Sequence, residues 1–221
     1  ANTHEVTIYK ANIIFVNAAC LNTNLILLNS NSAKFPNGLG NLNGIMGQYI
    51  AFHNYRGNIT AQYDGPADQY YFGRRPTQVM MPSFKNVHRQ ETDFLRGYMV
   101  HFSASRAGRP NVDGVGAAFK EAITEPANWH IYMMMQGETI PKASNRVYLS
   151  EYERDNWGIP QLVVSVDYDE NDEKLLKDFF AEGTAMLETA GCTKINTWDS
   201  KQAPGLDIHE MGGVRMGKNP A

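Results

Sequence analysis

Six short apolar runs with no helical pattern between them place the strongest constraint on the fold of this chain. They lie between about residues 56 and 165, and the last of them alternates its side chains with the period of two that marks a strand. Neighbouring parallel strands need a long crossover, usually a helix, so this stretch predicts an antiparallel sheet. The six predicted strands are Asn58–Tyr63, Gln78–Met81, Tyr98–Ser103, Trp129–Met135, Arg146–Leu149 and Leu162–Val166.

One strong amphipathic helix is predicted after the strands, from about Asp172 to Ala190. Either Asp169 or Asn171 is placed to cap its start, and Gly191 stands where a helix-ending glycine belongs. We expect its apolar stripe to lie on the sheet, which makes the chain an α+β protein with a six-stranded antiparallel sheet and helices on one face. The stripe consists of Leu175, Leu176, Phe179, Phe180, Met186 and Leu187.

The first 45 residues predict a strand, a sharp turn and a helix. Ala11–Val16 is apolar and β-branched, as a buried strand would be, and a run of small residues follows it. Leucines then recur at helical spacing from Leu21, with Asn22 or Thr23 as the expected N-cap.

Charge and composition exclude several classes of protein. The 20 basic and 23 acidic residues among 221 leave no positive excess for a phosphate backbone, so no nucleic-acid partner is expected. The sequence contains no run of about 18 apolar residues, so no transmembrane helix is predicted. The scattered histidines lack metal-ligand spacing, so no metal site is predicted. Periplasmic and cytoplasmic locations both stay open.

A glycine-rich segment, Gly205–Gly217, places His209 close to the pair Gly212 and Gly213. Glycines at this density permit close approach of backbone to a flat or anionic ligand, and a neighbouring imidazole suits general-base chemistry near neutral pH. The alternative is a surface turn with an incidental histidine. Spacing alone leaves both interpretations open.

Four segments of the chain resemble the glucose–methanol–choline (GMC) family of flavin oxidoreductases, in the family's order. The sequence HEMGGVRMG at 209–217 closely resembles its HxxGTxxMG motif, in a form most similar to bacterial sugar and glycoside dehydrogenases. Residues 16–30 resemble the family's AAGALNSPRLLLLS segment, and residues 47–53 its GxNLxDH segment. Residues 145–149 and 157–160 resemble its NRV.L…WGIP element. Together these matches span most of the chain.

The chain also departs from the family pattern. It lacks a GxGxxG fingerprint placed between a strand and a helix, which the family carries near its N-terminus. Cys20 stands where the family has a small residue, and Phe52 where it has Asp. The resemblance therefore implies a piece of a longer polypeptide, with the fingerprint before residue 1 and the second catalytic His or Asn beyond Ala221.

The resemblance implies three functional regions. Residues 1–45 would be a returning part of the FAD-binding α/β domain, residues 46–204 the substrate-binding domain, and residues 205–221 an active-site segment that re-enters the FAD domain. FAD is expected in the full-length parent and not in the isolated 221-residue chain.

The resemblance also implies an activity and its residues. The parent would oxidise a small-molecule alcohol, sugar, polyol or glycoside, with His209 removing the hydroxyl proton while hydride passes to flavin N5. His101 and Arg106 are further substrate candidates, and the sequence does not identify the electron acceptor. The residues expected on the flavin side are Asn17, Ala18, Ala19, Asn22, Gly212 and Gly213.

A second class of function remains open on the residues alone. A sheet with an open face, in a chain with three Trp and eleven Tyr, suits a carbohydrate-binding module without catalysis.

Overall fold

The computed structural model describes residues 5–65, 78–106, 113–124, 128–206 and 208–217. Within these ranges the chain is α+β, with three helices and two antiparallel sheets. The helices are α1 (Ala19–Asn29), α2 (Ala117–Thr124) and α3 (Glu170–Thr189). The strands are β1 (His53–Asn54), β2 (Gly57–Tyr63), β3 (Val79–Met81), β4 (Tyr98–Arg106), β5 (Trp129–Glu138), β6 (Arg146–Arg154), β7 (Pro160–Ser165) and β8 (Thr193–Asp199).

The described residues form two compact units, each built from separate stretches of chain. One unit takes residues up to 52, residues 140–167 and residues from 204 onward, and the other takes residues 53–139 and 168–203. The functional assignment of 1–45, 46–204 and 205–221 stays a prediction.

The second unit contains the six-stranded sheet, in the order β3-β4-β5-β2-β8 with β1 paired to β5. All of its pairings are antiparallel, which confirms the class of sheet predicted from the strand pattern. The predicted membership was wrong, because β6 and β7 lie in the first unit and form a separate two-stranded sheet there. Their places are taken by β1 and β8, whose polar sequences gave no strand signal.

Helix α3 covers one face of this sheet, as predicted. Leu175 and Phe179 are buried against the sheet, and burying a side chain of this size contributes about 2 kcal/mol. Gly183 lets the helix approach closely, because a Cβ there would lie 2.4 Å from Ile59 Cδ1. The opposite face carries more polar residues, among them Asn58, Thr60, His101, Tyr132, Met134 and Gln136.

The ends of α3 confirm the predicted capping. The Asp169 side chain accepts hydrogen bonds from the amides of Asn171 and Asp172, and Asp172 bonds back to the Asp169 amide in a capping box. Gly191 follows the helix with a φ of +80°, in the left-handed region that favours glycine.

The predicted strand at Ala11–Val16 is wrong. This segment has no regular structure, and its side chains are exposed, to 71% at Ile13 and 80% at Phe15. A strand needs a hydrogen-bonded neighbour, and no other segment within the described residues pairs with this one. The predicted helix is present as α1, but it begins at Ala19 and has no side-chain cap at Asn22 or Thr23.

Candidate active site

The glycine-rich segment is held by a short antiparallel ladder in the first unit. Met211 and Ala51 each donate a backbone N–H to the other's carbonyl, both at 2.9 Å. The Gly213 amide donates to the Gln48 carbonyl and the Gly47 amide to the Gly213 carbonyl, each at 3.0 Å. Four backbone hydrogen bonds therefore fix residues 211–213 against residues 47–51.

Residues 47–51 pair on their other side with the start of β6. The Ile50 amide donates to the Asn145 carbonyl at 2.9 Å, and the Val147 amide to the Gly47 carbonyl at 2.8 Å. A Cβ on Gly47 would lie 2.2 Å from the Val147 oxygen, so this position needs glycine. Three of the segments singled out by sequence thus form one three-stranded ladder.

Helix α1 packs a buried side-chain carboxamide, that of Asn24, against the glycine-rich segment. The fully buried Asn24 side chain donates to the Cys20 carbonyl at 2.9 Å and to the Gly212 carbonyl at 3.5 Å. A Cβ on Gly213 would lie 2.3 Å from both terminal atoms of Asn24. A Cβ on Gly212 would lie 2.1 Å from the Tyr49 oxygen. The two glycines are therefore required for packing within the chain, a reason that sequence reasoning missed; their role toward a cofactor stays a prediction.

His209 stands just before the anchored part of this loop. Its side chain is exposed and its φ is +66°, a strained value for a residue with a Cβ. Such strain of about 1–3 kcal/mol is common at functional sites, where the surrounding structure enforces it. After the glycines, the Arg215 guanidinium lies 3.9 Å from the centre of the Tyr49 ring and fixes the far end of the loop.

Cys20 lies beneath the same loop and is half-buried. Its thiol donates to the Gly212 carbonyl with an Sγ···O distance of 3.6 Å. Burial raises the pKa of the Cys20 thiol, and the negative charge of Glu210 raises it further. The thiol is therefore protonated near neutral pH and suits packing better than nucleophilic chemistry.

The residues predicted on the flavin side surround the start of α1. Asn17, Ala19 and Asn22 are exposed and Ala18 is half-buried. Among the residues that the structure describes, no side chain caps this helix, and its first turn carries no acid, so its first N–H groups suit a polar or anionic group.

The two other substrate candidates lie on β4 in the second unit. His101 and Arg106 are five positions apart, an odd number, which places them on opposite faces of the strand. The Arg106 guanidinium lies 5.7 Å from the Trp129 ring centre, so the Trp129 ring covers part of the guanidinium. His101 and His130 both fall in predicted strands, where half-buried and hydrogen-bonded imidazoles are expected. His101 meets this expectation, whereas His130 is exposed and does not.

Asn24 is the site residue that sequence reasoning missed. The sequence signal for it is its spacing: Asn24 lies three positions after Leu21 and four before Leu28, so it falls on the helix face that carries those leucines. A polar side chain inside an apolar helix face is costly to bury unless it has a partner, and the partner here is backbone from both ends of the chain.

The described ranges contain neither a metal-ligand cluster nor a helix able to cross a membrane. No group of three His, Cys, Asp or Glu side chains there is close enough to hold a metal ion. None of the helices in those ranges combines the length and the hydropathy that a membrane crossing requires.

Comparison with known proteins relates the chain to a dehydrogenase. No protein-family model matches the chain. A 2-methyl-1,2-propanediol dehydrogenase of Mycolicibacterium austroafricanum is 26% identical over 230 residues. The alignment covers 98% of this chain and 40% of that dehydrogenase, so the chain spans less than half the length of its relative.

Proposed function

We propose that this chain is part of an FAD-dependent alcohol oxidoreductase of the GMC type, with His209 as its general base. The observation that carries the proposal is the convergence of the four resembling segments in one unit. Asn24 of the first segment contacts Gly212 and Gly213 of the last, and residues 47–51 join the last segment to the start of β6. Asn24 and Gly213, which are 189 positions apart in sequence, thus meet at the motif that resembles the family's catalytic one.

The relative supports the coarser part of the proposal, an oxidoreductase that acts on alcohols. Its name describes a dehydrogenase of a diol, and its similarity extends over nearly the whole of this chain. The finer part, FAD and the role of His209, rests on the motif resemblance and the site geometry.

The described residues fit a flavin at one position. The uncapped start of α1 offers free amide donors among small, exposed side chains at Asn17 and Ala19. The sequence holds no glycine fingerprint for a dinucleotide pyrophosphate, so that contact would come from the rest of the parent. FAD, when bound, supplies the hydride acceptor.

The chain's own residues would hold the base and take the proton. The four-bond ladder to residues 47–51 and the Asn24 contact fix the backbone that follows His209. The exposed imidazole would accept the hydroxyl proton of the alcohol at its unprotonated ring nitrogen. A rigid loop keeps this nitrogen in place without reorganisation at the moment of reaction.

The exposed apolar segment at the beginning of the chain supports a longer parent. Ile13, Ile14 and Phe15 are all more than two-thirds exposed, although the sequence has the composition of a buried strand. In the parent, a neighbouring strand of the flavin domain would cover them.

The experiment uses the full-length parent polypeptide. It should purify with bound flavin, and the flavin absorbance should bleach when 1,2-propanediol or a sugar is added without oxygen. Purification without flavin, or a flavin that no diol or sugar reduces, would sink the proposal.

A carbohydrate-binding module is the second candidate, favoured by one pair of rings. Tyr132 and Trp198 lie 6.4 Å apart on the face opposite α3, and Trp198 is 38% exposed. Two results would replace the first function with this one. The parent would carry no flavin but would be retained on a column of immobilised sugar, and Trp198→Ala would abolish that retention.

A further inference from the structure

The two most exposed methionines of the chain both lie in the glycine-rich segment. Met216 is 100% exposed and Met211 is 58% exposed. All ten methionines belong to the described residues, and among the other eight only Met80 is exposed. The thioethers with the best access to a dissolved reagent are therefore those nearest in sequence to His209.

Met211 is held in the backbone ladder, and Met216 lies beyond it. Met211 and Ala51 each donate a backbone N–H to the other's carbonyl, both at 2.9 Å. Residues that exchange both bonds in an antiparallel pair carry their side chains on the same face. The Met211 side chain therefore stands beside the buried Ala51 methyl group. The fully exposed Met216 side chain has almost no contact area within the chain to lose.

The thioether of methionine reacts with hydrogen peroxide at its sulfur atom. The sulfur lone pair attacks one peroxide oxygen, the O–O bond breaks and an S–O bond forms. The other oxygen takes the proton of the first and leaves as water, so sulfur loses two electrons and peroxide gains them. The product, methionine sulfoxide, is a polar side chain in the place of an apolar one.

The same reaction has different consequences at the two positions. A polar oxygen placed beside the buried Ala51 methyl group disfavours the paired state of Met211. Opening of the pair exposes the sulfoxide to water, at the loss of two backbone hydrogen bonds. The Met216 side chain is in water already, so its sulfoxide leaves the ladder unchanged.

We propose that Met211 is an oxidation site, at which hydrogen peroxide forms the sulfoxide and weakens the pairing of the glycine-rich segment with residues 47–51. Met216 forms the sulfoxide without this effect. The inference goes beyond the proposed function, because neither the sulfoxide nor the weakened pairing requires alcohol oxidation. Where the proposed function holds, His209 lies two residues before the loosened position, and oxidation of the alcohol slows.

The first measurement is the extent of oxidation at each methionine of the full-length parent after treatment with millimolar hydrogen peroxide. Peptide mass spectrometry should show sulfoxide first at Met216 and then at Met211 and Met80. Met133 and Met135 are fully buried in the sheet and should react last.

The second measurement is hydrogen exchange of the peptide that covers residues 47–51, before and after the same treatment. Treated wild type should exchange about two- to tenfold faster there, the effect of a weakened backbone hydrogen bond. Met216→Leu is the matched control and should show the same increase, whereas Met211→Leu should show none. Each variant is compared with its own untreated sample.

Enzymatic reversal tests the site without any substitution. Methionine sulfoxide reductase converts the sulfoxide back to the thioether. Treated wild type should therefore regain its slow exchange at residues 47–51 after incubation with the reductase, as the Met211 sulfoxide disappears from the mass spectrum.

The third measurement is the rate of flavin reduction by 1,2-propanediol in the same samples. Treated wild type and treated Met216→Leu should lose about tenfold or more of their untreated rate, because a displaced base is a poor one. Treated Met211→Leu should keep its own untreated rate.

The outcomes separate this inference from the proposed function. A Met211 that reacts as slowly as Met133 overturns the inference, and so does a Met211 sulfoxide with unchanged exchange at residues 47–51. If the parent oxidises no alcohol, the proposed function fails, and the first two measurements still decide this inference. Faster exchange with an undiminished rate of flavin reduction would uphold the oxidation site and contradict the positioning of His209 by the ladder.

Discussion

Asn24 and Gly213 approach so closely that no side chain fits between them. The missing Cβ of Gly213 would lie 2.3 Å from both the oxygen and the nitrogen of the Asn24 carboxamide. Because Asn24 belongs to α1 and Gly213 to the glycine-rich loop, this single contact joins two segments 189 positions apart, from 24 to 213.

Replacing Gly213 tests this packing. Gly213→Ala should destabilise the protein by about 1–3 kcal/mol from overpacking, added to the cost of a positive φ. Gly44→Ala is the matched control, since Gly44 has the same φ of +71° but nothing within 4 Å of its Cβ position. Thermal unfolding of both variants measures the difference, and equal losses of stability would show that the Asn24 contact is not tight.

Replacing Tyr98 tests a buried donor next to charges. The Tyr98 hydroxyl donates to Asp178 Oδ2 at 2.6 Å, and Lys85 lies within ion-pair distance of the same carboxylate. Tyr98→Phe should lower the free energy of unfolding by about 1–2 kcal/mol, because it removes a hydrogen bond to a charged group. Urea denaturation measures the change, and a loss below a few tenths of a kcal/mol would contradict it.

Tyr98 should also make the stability of the protein depend on pH in the alkaline range. Burial raises the pKa of Tyr98, and the hydrogen bond to Asp178 raises it further. A raised pKa in the folded state contributes stability that is complete below the unfolded value of about 10 and is lost as pH rises beyond it. The stability difference between wild type and Tyr98→Phe should therefore shrink above about pH 10; a difference that grows there would refute the assignment.

The isolated chain provides a prediction about cofactor binding. Residues 1–221 contain no glycine fingerprint for a dinucleotide, so the purified chain should bind no FAD tightly. Absorbance in the flavin region, with the full-length parent as the positive control, measures this. A stoichiometric yellow chain would be the contrary result.

Local signals in the sequence were sufficient for α3 and for most of the strands. The capping acid Asp169, the apolar stripe and Gly191 all lie within the helix or next to it, so a short window contains the information. The antiparallel class was predicted from the lack of a helical pattern between the strands; that premise was wrong at one place, because α2 lies between β4 and β5, although the two strands still pair antiparallel. Met133 and Met135, which fall in the predicted strand Trp129–Met135, are fully buried.

Features that depend on distant partners were not readable from the sequence. Strand β8 has a polar sequence, TKINTWD, and exists because it pairs with β2 along the sheet edge. Ala11–Val16 has the opposite character, an apolar run without a partner among the described residues. Asn24 is important only because Gly212 and Gly213 come to it from the other end of the chain.

The most direct test of the central claim is the rate of flavin reduction by an alcohol in the full-length parent, with His209→Ala compared with wild type. Loss of a positioned base should slow reduction by about 10²- to 10⁴-fold while flavin content stays the same. His101→Ala is the comparison variant and should mainly raise the alcohol concentration needed for half-maximal rate. Near-normal reduction in His209→Ala, with no reduction in His101→Ala, would contradict the assignment of His209 as the base.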